Sequence, residues 1–531
     1  MTRSYLELKA ILEFDEDYLS IDFFFADTIE RYFPLKNPVG KIWLAILHKN
    51  SRLGNFFFDP QKQKEQFKEL PSFEESLSQL IQNPFEGLFL PIVKIGNDYL
   101  LKKNFDDFFQ WIKDLTYLLQ APFSSSDAVE KDHELNDEQN LALASFFQHH
   151  WLILAGGPGR GKTYTAKQIV KSFVRQHPDC HIALAAPTGK ATENLFNALL
   201  DLNLGPQIKA MTLHSLLGLS PHNMNLKKNS LLDCDLLIID ECSMMDFQLF
   251  SALLKVLERK TKVLFIGDLG QLPPVVGFSP LHLLMDLKNR FEQIGFVELK
   301  KPMRTDKKGL LQLADGILNQ DQKLVEEAFS CPTVGLKELE EFYSHLESEM
   351  EGFIDFNTQL PDFKKLYQIK VIASHNVGPY GSDAINRFFL NKIAKKENRH
   401  QYLIPILFKE NQEKIGVFNG KLGFLSYFHS QPVVYTRSDH KIPLALSPAF
   451  DFAFAISIHK SQGSEFDKVF LAIQEITIPT KELLYTAVSR AKKKLTIFGN
   501  KQHFFAQSTS DDEVLRKYRD LTEILLKEVN T

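Results

Sequence analysis

Glycines at 156, 157, 159 and 161 precede Lys162 and Thr163, and Gly156 to Thr163 fits the pattern G-x-x-x-x-G-K-[ST]. Backbone N–H groups of such a loop close around phosphate when no side chain crowds the approach. Lys162 then reaches the β- and γ-phosphates, and Thr163 offers its hydroxyl to Mg²⁺. An apolar run, Trp151 to Ala155, precedes the loop and a helical pattern follows it. The positive end of that helix favours an anionic ligand. A glycine-rich turn without a ligand is the bland alternative, and the strand and helix flanks argue against it.

The second constellation is Leu236-Leu-Ile-Ile-Asp240-Glu241. Four apolar residues predict a buried strand whose end delivers two adjacent carboxylates. Two anions buried together without a cation are very unfavourable, so a metal ion is expected there. Asp240 is placed to hold Mg²⁺ through water, and Glu241 to orient and deprotonate an attacking water. A third apolar run, Val263 to Gly267, ends in Asp268-Leu-Gly-Gln271. Gln271 is uncharged, so it can sense a γ-phosphate by hydrogen bonding without competing for the metal. Arg490 stands shortly before the apolar run Leu495 to Phe498. A guanidinium there stabilises charge on a transferring phosphoryl group in a way that the point charge of lysine does not.

Other positions leave the chemistry open. The amide of Gln139 can pair with N6 and N7 of adenine, or it can simply start a helix. The basic patch Lys300 to Lys308 includes Arg304, a cation able to cross a cleft, although a solvated basic turn is the ordinary reading. Thr188-Gly-Lys-Ala-Thr192 follows the apolar run His181 to Pro187, the place where open α/β sheets present ligand contacts. Thr212, His214 and Ser215 are short hydrogen-bonding groups suited to phosphate oxygens, yet each alone is more often a cap. Ser457 to Glu465, with His459 and Ser461, returns to polar chemistry after another apolar strand.

The elements that must position these groups follow from periodicity. Apolar strands alternating with helical patterns predict an α/β core with parallel strands. From Leu135, an N-cap at Asn136 or Asp137 opens a helix leading into the phosphate-loop strand. Residues 1 to about 130 carry helical periodicity, with helices expected over Val39 to His48 and Gln61 to Gln82 and a break near Pro122 to Asp127. Gly309 to about Met350 reads as helical, and Ile369 to Ala373 as a strand. Ile404 to Leu446 alternates in short runs, and Asn419-Gly420 signals a hairpin, so a small β-barrel is expected inside a second core.

Composition sets bounds. At 531 residues the chain has room for roughly three to four domains. Lys and Arg number 62 against 66 Asp and Glu, for a formal net charge of -4, so any nucleic-acid surface must be local. The four cysteines, at 180, 234, 242 and 331, show no C-x-x-C and no paired histidines, which argues against zinc and disulfides and fits a reducing cytoplasm. No apolar signal core opens the chain, and the most apolar long stretch, Ile442 to Ile458, is interrupted by prolines and Asp451. Phenylalanine triplets at 23–25 and 56–58 sit at core-like spacing, so packing is expected rather than base stacking.

In order, LNDEQ, AGGPGRGKT, AAPTGKAT, TLHSLLG, IIDECSMMD, GDLGQLPPV, MRTD, GVFNGKLGF, SIHKSQGSEFD and LLYTAVSRAK resemble the motif series of the RecD family of superfamily 1 DNA helicases. WLAILHKNSRLGNFFFD is similar, more weakly, to the family's N-terminal domain. The resemblance implies an α/β fold: two RecA-like motor domains, a helical N-terminal partner-binding domain and an SH3-like insertion. The boundaries implied are 1–130, 131–299, 300–403 with 447–531, and 404–446. It implies that ATP meets Gln139, Gly156, Gly157, Pro158, Gly159, Arg160, Gly161, Lys162, Thr163, Tyr164 and Glu465, with Mg²⁺ on Thr163 and Asp240. It makes Gln271 the γ-phosphate sensor, and Arg304 and Arg490 the arginine fingers. Thr188, His214, Ser215, His459 and Ser461 would line the single-strand DNA track, and Leu219 to Ser230 would form a duplex-splitting hairpin. Travel from 5′ to 3′ is implied by the family alone.

Two departures stand out. Arg160 occupies a loop position where relatives usually carry threonine, and Cys242 one where alanine is usual. The chain shows no nuclease carboxylate cluster, so cleavage is expected of a partner. It lacks room for the long N-terminal extension of stand-alone RecD-like enzymes, which favours a RecBCD-type exonuclease V complex in recombinational repair, with RecB-like and RecC-like subunits. The alternatives are a helicase acting alone and a regulatory subunit with a silent ATPase. Against the second, a silent site has no need for Lys162, Asp240, Glu241, Gln271, Arg304 and Arg490 together.

Overall fold

A computed structural model describes residues 4–13, 15, 17–63, 70–83, 90–120, 131–219, 231–274, 278–303, 308–349, 361–395, 402–412, 415–427, 431–437, 439–474, 479–505 and 511–529. The N-terminal part holds α1 (Tyr5–Leu12), α2 (Ser20–Tyr32) and α3 (Gly40–Arg52). A capping box between Ser4 and Glu7 starts α1. Helix α3 buries Ile42 through Leu47, and buried Asp22 on α2 bonds His48 Nδ1 at 2.7 Å and Arg52 Nη2 at 2.9 Å.

This part is not all helical. The single helix expected over Gln61 to Gln82 is interrupted: Phe73–Leu77 is helical, but Ile81–Gln82 is strand β1. It pairs with β2 (Ile92–Ile95), which pairs with β3 (Asp98–Leu101). Pro71, which cannot donate in a helix interior, lies inside the expected helix. Helix α4 (Lys102–Leu119) then buries Phe105, Phe108, Trp111, Ile112 and Leu115 against the next body.

That body starts with α5 (Asp137–Gln148), then β4 (Trp151–Gly156), α6 (Lys162–Gln176), β5 (Ile182–Ala186), α7 (Gly189–Leu199) and β6 (Ile208–Thr212). It continues with β7 (Leu236–Ile239), α8 (Phe247–Leu254), β8 (Lys262–Gly267) and β9 (Ile294–Leu299). The six strands pair in parallel in the order β6-β5-β7-β8-β4-β9. Strands β4, β5 and β7 are buried at every position, which is why their sequences run apolar without alternation.

The second body contains α9 (Lys308–Asn319), β10 (Val334–Lys337), β11 (Ile369–Ala373) and α10 (Ser382–Ala394). Strands β12 (Leu403–Phe408), β13 (Leu422–Ser426), β14 (Val433–Arg437), β15 (His440–Pro443) and β16 (Phe450–Phe452) interrupt it. It resumes with β17 (Ala455–Ser457), β18 (Phe466–Ala472), α11 (Lys481–Val488) and β19 (Ala491–Phe498). Its five parallel strands run β10-β19-β18-β11-β17. Strand β10 falls inside the stretch read as helical.

The interruption is a five-stranded antiparallel sheet, β15-β14-β13-β12-β16. It extends to Phe452 rather than stopping at Leu446. Asn419-Gly420 sits at the far end of a longer loop, where Gly420 at φ +81° donates to the Phe408 carbonyl at 2.9 Å.

The final helix, α12 (Asp511–Val529), does not pack on the second sheet, although the 447–531 boundary assigns it there. Tyr518 stacks on Phe278 at 3.7 Å between centroids and meets Phe56 and Phe57 edge-on. Arg290 Nη1 holds Glu523 at 3.1 Å. The triplet at 56–58 is thus core packing, whereas Phe24 of the other triplet is exposed. Among the described residues no helix is long and apolar enough to cross a membrane.

Candidate ATP-binding cleft

The C-terminal ends of β4, β7 and β8 meet at one edge of the first sheet, where open α/β sheets hold ligands. After β4 the loop turns through Gly159 at φ +71° and Gly161 at φ +85° into the N-terminus of α6. A Cβ on Gly161 would lie 2.9 Å from Gln139 Nε2 and 3.0 Å from Met303 Cγ, so no other residue fits without displacement. Lys162 Nζ donates to the carbonyls of Gly156 and, at 3.1 Å, Gly157. Thr163 and Tyr164 stand exposed on the first turn of α6.

Asp240 and Glu241 follow β7, both half-buried. Glu241 takes φ +52°, and its N–H donates to Asp240 Oδ1 at 2.8 Å. That left-handed conformation costs a non-glycine residue about 1–3 kcal/mol, which the surrounding fold sustains. Burial, and then the charge of Glu241, push the Asp240 carboxyl up to about 7. Burial likewise raises Glu241, while Arg490 and Lys162 oppose the shift. The pair resists double ionisation, a cost that a divalent cation would relieve.

Beyond β8, buried Asp268 accepts from Gln271 Nε2 at 3.2 Å, Gly270 N at 3.1 Å and the hydroxyl of Tyr485 at 2.9 Å. Tyr485 is on α11, so this carboxylate joins the two bodies. Gln271 is oriented by that bond, and its Oε1 is buried with no hydrogen-bond partner among the described residues. Arg490, only 3% exposed, follows α11. Its guanidinium donates from Nε to the Thr486 carbonyl at 3.0 Å, from Nη1 to the Ser464 carbonyl at 3.2 Å, and from Nη2 to Ser489 Oγ at 2.8 Å.

The phosphate loop, Asp240, Glu241, Gln271, Glu465 and Arg490 line one cleft of about 1050 Å³ between the bodies. Glu465 is exposed there and pairs with Lys492 at 3.4 Å. Left-handed loop glycines, a lysine over the loop, a destabilised carboxylate pair and an orphaned amide oxygen fit a magnesium nucleoside triphosphate.

The expected residues do not all take the roles given them. Gln139 is fully buried, and its side chain closes a capping box with Asn136 and approaches the Met303 sulfur. It borders the loop, but its amide is engaged in starting α5. Arg160 points to the Lys300 carbonyl and the Asp315 carboxylate. Arg304 lies outside the described residues, as do positions 220–230 of the expected hairpin.

Thr188 caps α7, accepting from Ala191 N at 3.3 Å, and Thr212 caps the turn that carries His214 and Ser215. His459 is exposed. Ser461 is fully buried and donates to the Ile458 carbonyl, so its hydroxyl faces inward, away from any strand.

Three residues without an expected role belong to the cleft region: Asp268, Tyr485 and Lys190. Lys190 Nζ donates to Ser464 Oγ at 2.8 Å and lies 4.4 Å from the Tyr367 ring centroid. Burial, then Arg490 and Lys492, lower it to about 7. The signal for Asp268 was its place at a strand end; Lys190 and Tyr485 lie in the quoted stretches AAPTGKAT and LLYTAVSRAK, where nothing local singles out their side chains.

Comparison with known proteins agrees with this cleft. Residues 139–277 match the AAA domain model, and residues 452–498 match the UvrD-like helicase C-terminal domain model. The RecBCD enzyme subunit RecD of Buchnera aphidicola subsp. Schizaphis graminum is 29% identical, with 71% of this chain and 74% of that protein covered. The RecD subunit of Haemophilus influenzae is 28% identical, with 70% of each covered. The ATP-dependent RecD2 DNA helicase of Deinococcus radiodurans is 26% identical over 69% of this chain and 49% of that protein. Among solved structures, Pif1 helicases at forked duplex DNA superpose with a TM-score of 0.46 at 20% identity, covering 73% of this chain and 98% of that one. With the phosphate loop, the Asp240–Glu241 pair, Gln271 and Arg490 lining one cleft, the chain is similar to the RecD family of superfamily 1 DNA helicases.

Proposed function

We propose that this RecD-like, ATP-dependent DNA helicase moves 5′ to 3′ along single-stranded DNA as one subunit of a RecBCD-type assembly acting in double-strand break repair by homologous recombination. The observation that carries the reading is the cleft itself, in which Lys162, Asp240, Glu241 and Gln271 from one sheet face Arg490 from the other. Thr163 and Asp240 would hold the Mg²⁺ that accompanies ATP, which would supply charge to offset that of the phosphates while the γ-phosphoryl group passes to water. Glu241, beside Asp240 at the end of β7, takes a proton from that water. Gln271, oriented by Asp268, senses the γ-phosphate, and Arg490 offsets charge that develops on it. Gln139, Tyr164 and Glu465 border the base and sugar.

Because Asp268 and Tyr485 join the bodies beside Gln271, closure and reopening of the cleft is linked to the state of the phosphate. Alternating grip on a strand by the two bodies then yields movement. Thr188, His214, Ser215 and His459 are the proposed strand contacts; Ser461, bonded to the Ile458 carbonyl, braces the turn that carries His459. The motor domains are proposed over 131–299 and over 300–403 with 453–505, the N-terminal part as the partner-binding domain, and the antiparallel sheet as an SH3-like domain. RecB-like and RecC-like subunits are the proposed partners, one of them supplying the nuclease.

Affinity purification from the source cell tests the assembly. Two large chains should co-elute in equal amounts; a monomer with full unwinding activity contradicts it.

A further inference from the structure

Arg160 turns out of the phosphate loop rather than into it. Its guanidinium donates to the Lys300 carbonyl and pairs with the Asp315 carboxylate. Lys300 begins the connection that leaves β9 for the second body, and Asp315 is on α9, the first helix of that body. The same connection is held to the loop again where Met303 N donates to the Gly159 carbonyl at 3.1 Å. Its start is fixed by Glu138, which accepts from the N–H groups of Lys300 and Lys301 at 2.9 Å each.

The pair is not a loose surface contact. The Arg160 side chain is 12% exposed and that of Asp315 36%, so the guanidinium is largely shielded from solvent. Beneath the loop, a Cβ on Gly157 would lie 3.0 Å from Arg160 Nε and 2.8 Å from the Tyr485 hydroxyl, so the second body packs on the loop through Tyr485 where the Arg160 side chain leaves it. One helical turn from Asp315, Leu318 presses on Gly270, where a Cβ would lie 2.4 Å from Leu318 Cδ2. Helix α9 thus contacts the phosphate loop through Asp315 and the Gln271 loop through Leu318.

We infer that Arg160 and Asp315 are a positioning pair that splices the phosphate loop to the second motor body, so that displacement of this body on DNA is transmitted to the groups holding the phosphates. The inference rests on the helicase reading. A phosphate loop binds through backbone N–H groups, so residue 160 is free to reach elsewhere, and arginine spans a gap that threonine does not. Its fork reaches the carbonyl from Nη1 and the carboxylate from Nη2, two separate nitrogens in a fixed plane, where lysine offers a single one.

The test measures ATP hydrolysis with and without single-stranded DNA for the unchanged chain, Arg160→Thr, Arg160→Lys, Asp315→Asn and the Arg160→Thr/Asp315→Asn double variant. Each single variant should lower the DNA-stimulated kcat about fivefold, a size typical of coupling between contacting residues, with KM for ATP within about twofold of the parent. The double variant should lose no more than one single, and Arg160→Lys should not restore the parent value.

A raised KM in Arg160→Thr alone would make Arg160 a phosphate ligand, and additive losses would make the contacts independent; either overturns the pair. Hydrogen exchange of the peptide 156–163 reads the pair without hydrolysis. Asp315→Asn should speed it about fivefold, and unchanged exchange would overturn the inference. If the unchanged chain lacks DNA-stimulated hydrolysis, the helicase reading fails, and the exchange result alone decides the pair.

Discussion

Lys162→Ala removes DNA-stimulated ATP hydrolysis, with kcat falling by at least ~10²-fold, the scale seen when one preorganised charge-stabilising donor is deleted. The lysine stands over the loop with its ammonium on the carbonyls of Gly156 and Gly157, its hydrogen-bond partners among the described residues. Removing it therefore takes away the cation proposed to meet the β- and γ-phosphates while leaving β4 and α6 packed as before. Thermal unfolding should be close to that of the parent. Hydrolysis still stimulated by DNA in this variant would refute the assignment of the site.

Arg490→Ala should reduce hydrolysis by about 10³-fold, within the range for an arginine that stabilises a transferring phosphoryl group, while binding of a fluorescent ADP analogue changes far less. The guanidinium is held by two carbonyls and one hydroxyl around a rigid fork. An ammonium at the same place cannot satisfy those acceptors in that geometry, so Arg490→Lys should not recover activity. Recovery to within about tenfold of the parent in Arg490→Lys would show that position 490 supplies only a point charge.

What was legible in the chain was whatever depends on local order. The phosphate loop, the carboxylates after β7 and the alternation of strand and helix are written in consecutive residues, because backbone turns and strand ends are local. The burial of β4, β5 and β7 on both faces made them uninterrupted apolar runs.

Contacts between distant segments left no such trace. Nothing near Asp268 in the sequence points to Tyr485, 217 positions away, yet that hydrogen bond fixes the face of the cleft. Arg160 looked like an intruding cation because its partner, Asp315, stands in another body. Strand β10 was missed since four residues at a sheet edge, half-buried, do not outweigh the helical pattern on either side. Helix α12 shows why chain order is a poor guide to packing: Tyr518 returns to the first body and to Phe56 and Phe57 of the N-terminal part. Ser461 and Gln139 sit where the motif puts them, but burial directs their polar atoms to backbone groups close in sequence.

The central claim is that hydrolysis in this cleft drives strand separation. Its most direct measurement is unwinding of duplexes carrying either a 5′ or a 3′ single-stranded tail, with ATP and with a non-hydrolysable analogue. ATP-dependent separation of the 5′-tailed duplex is the predicted result; no ATP-dependent separation of either duplex would contradict the account, and preference for the 3′ tail would reverse the assigned direction.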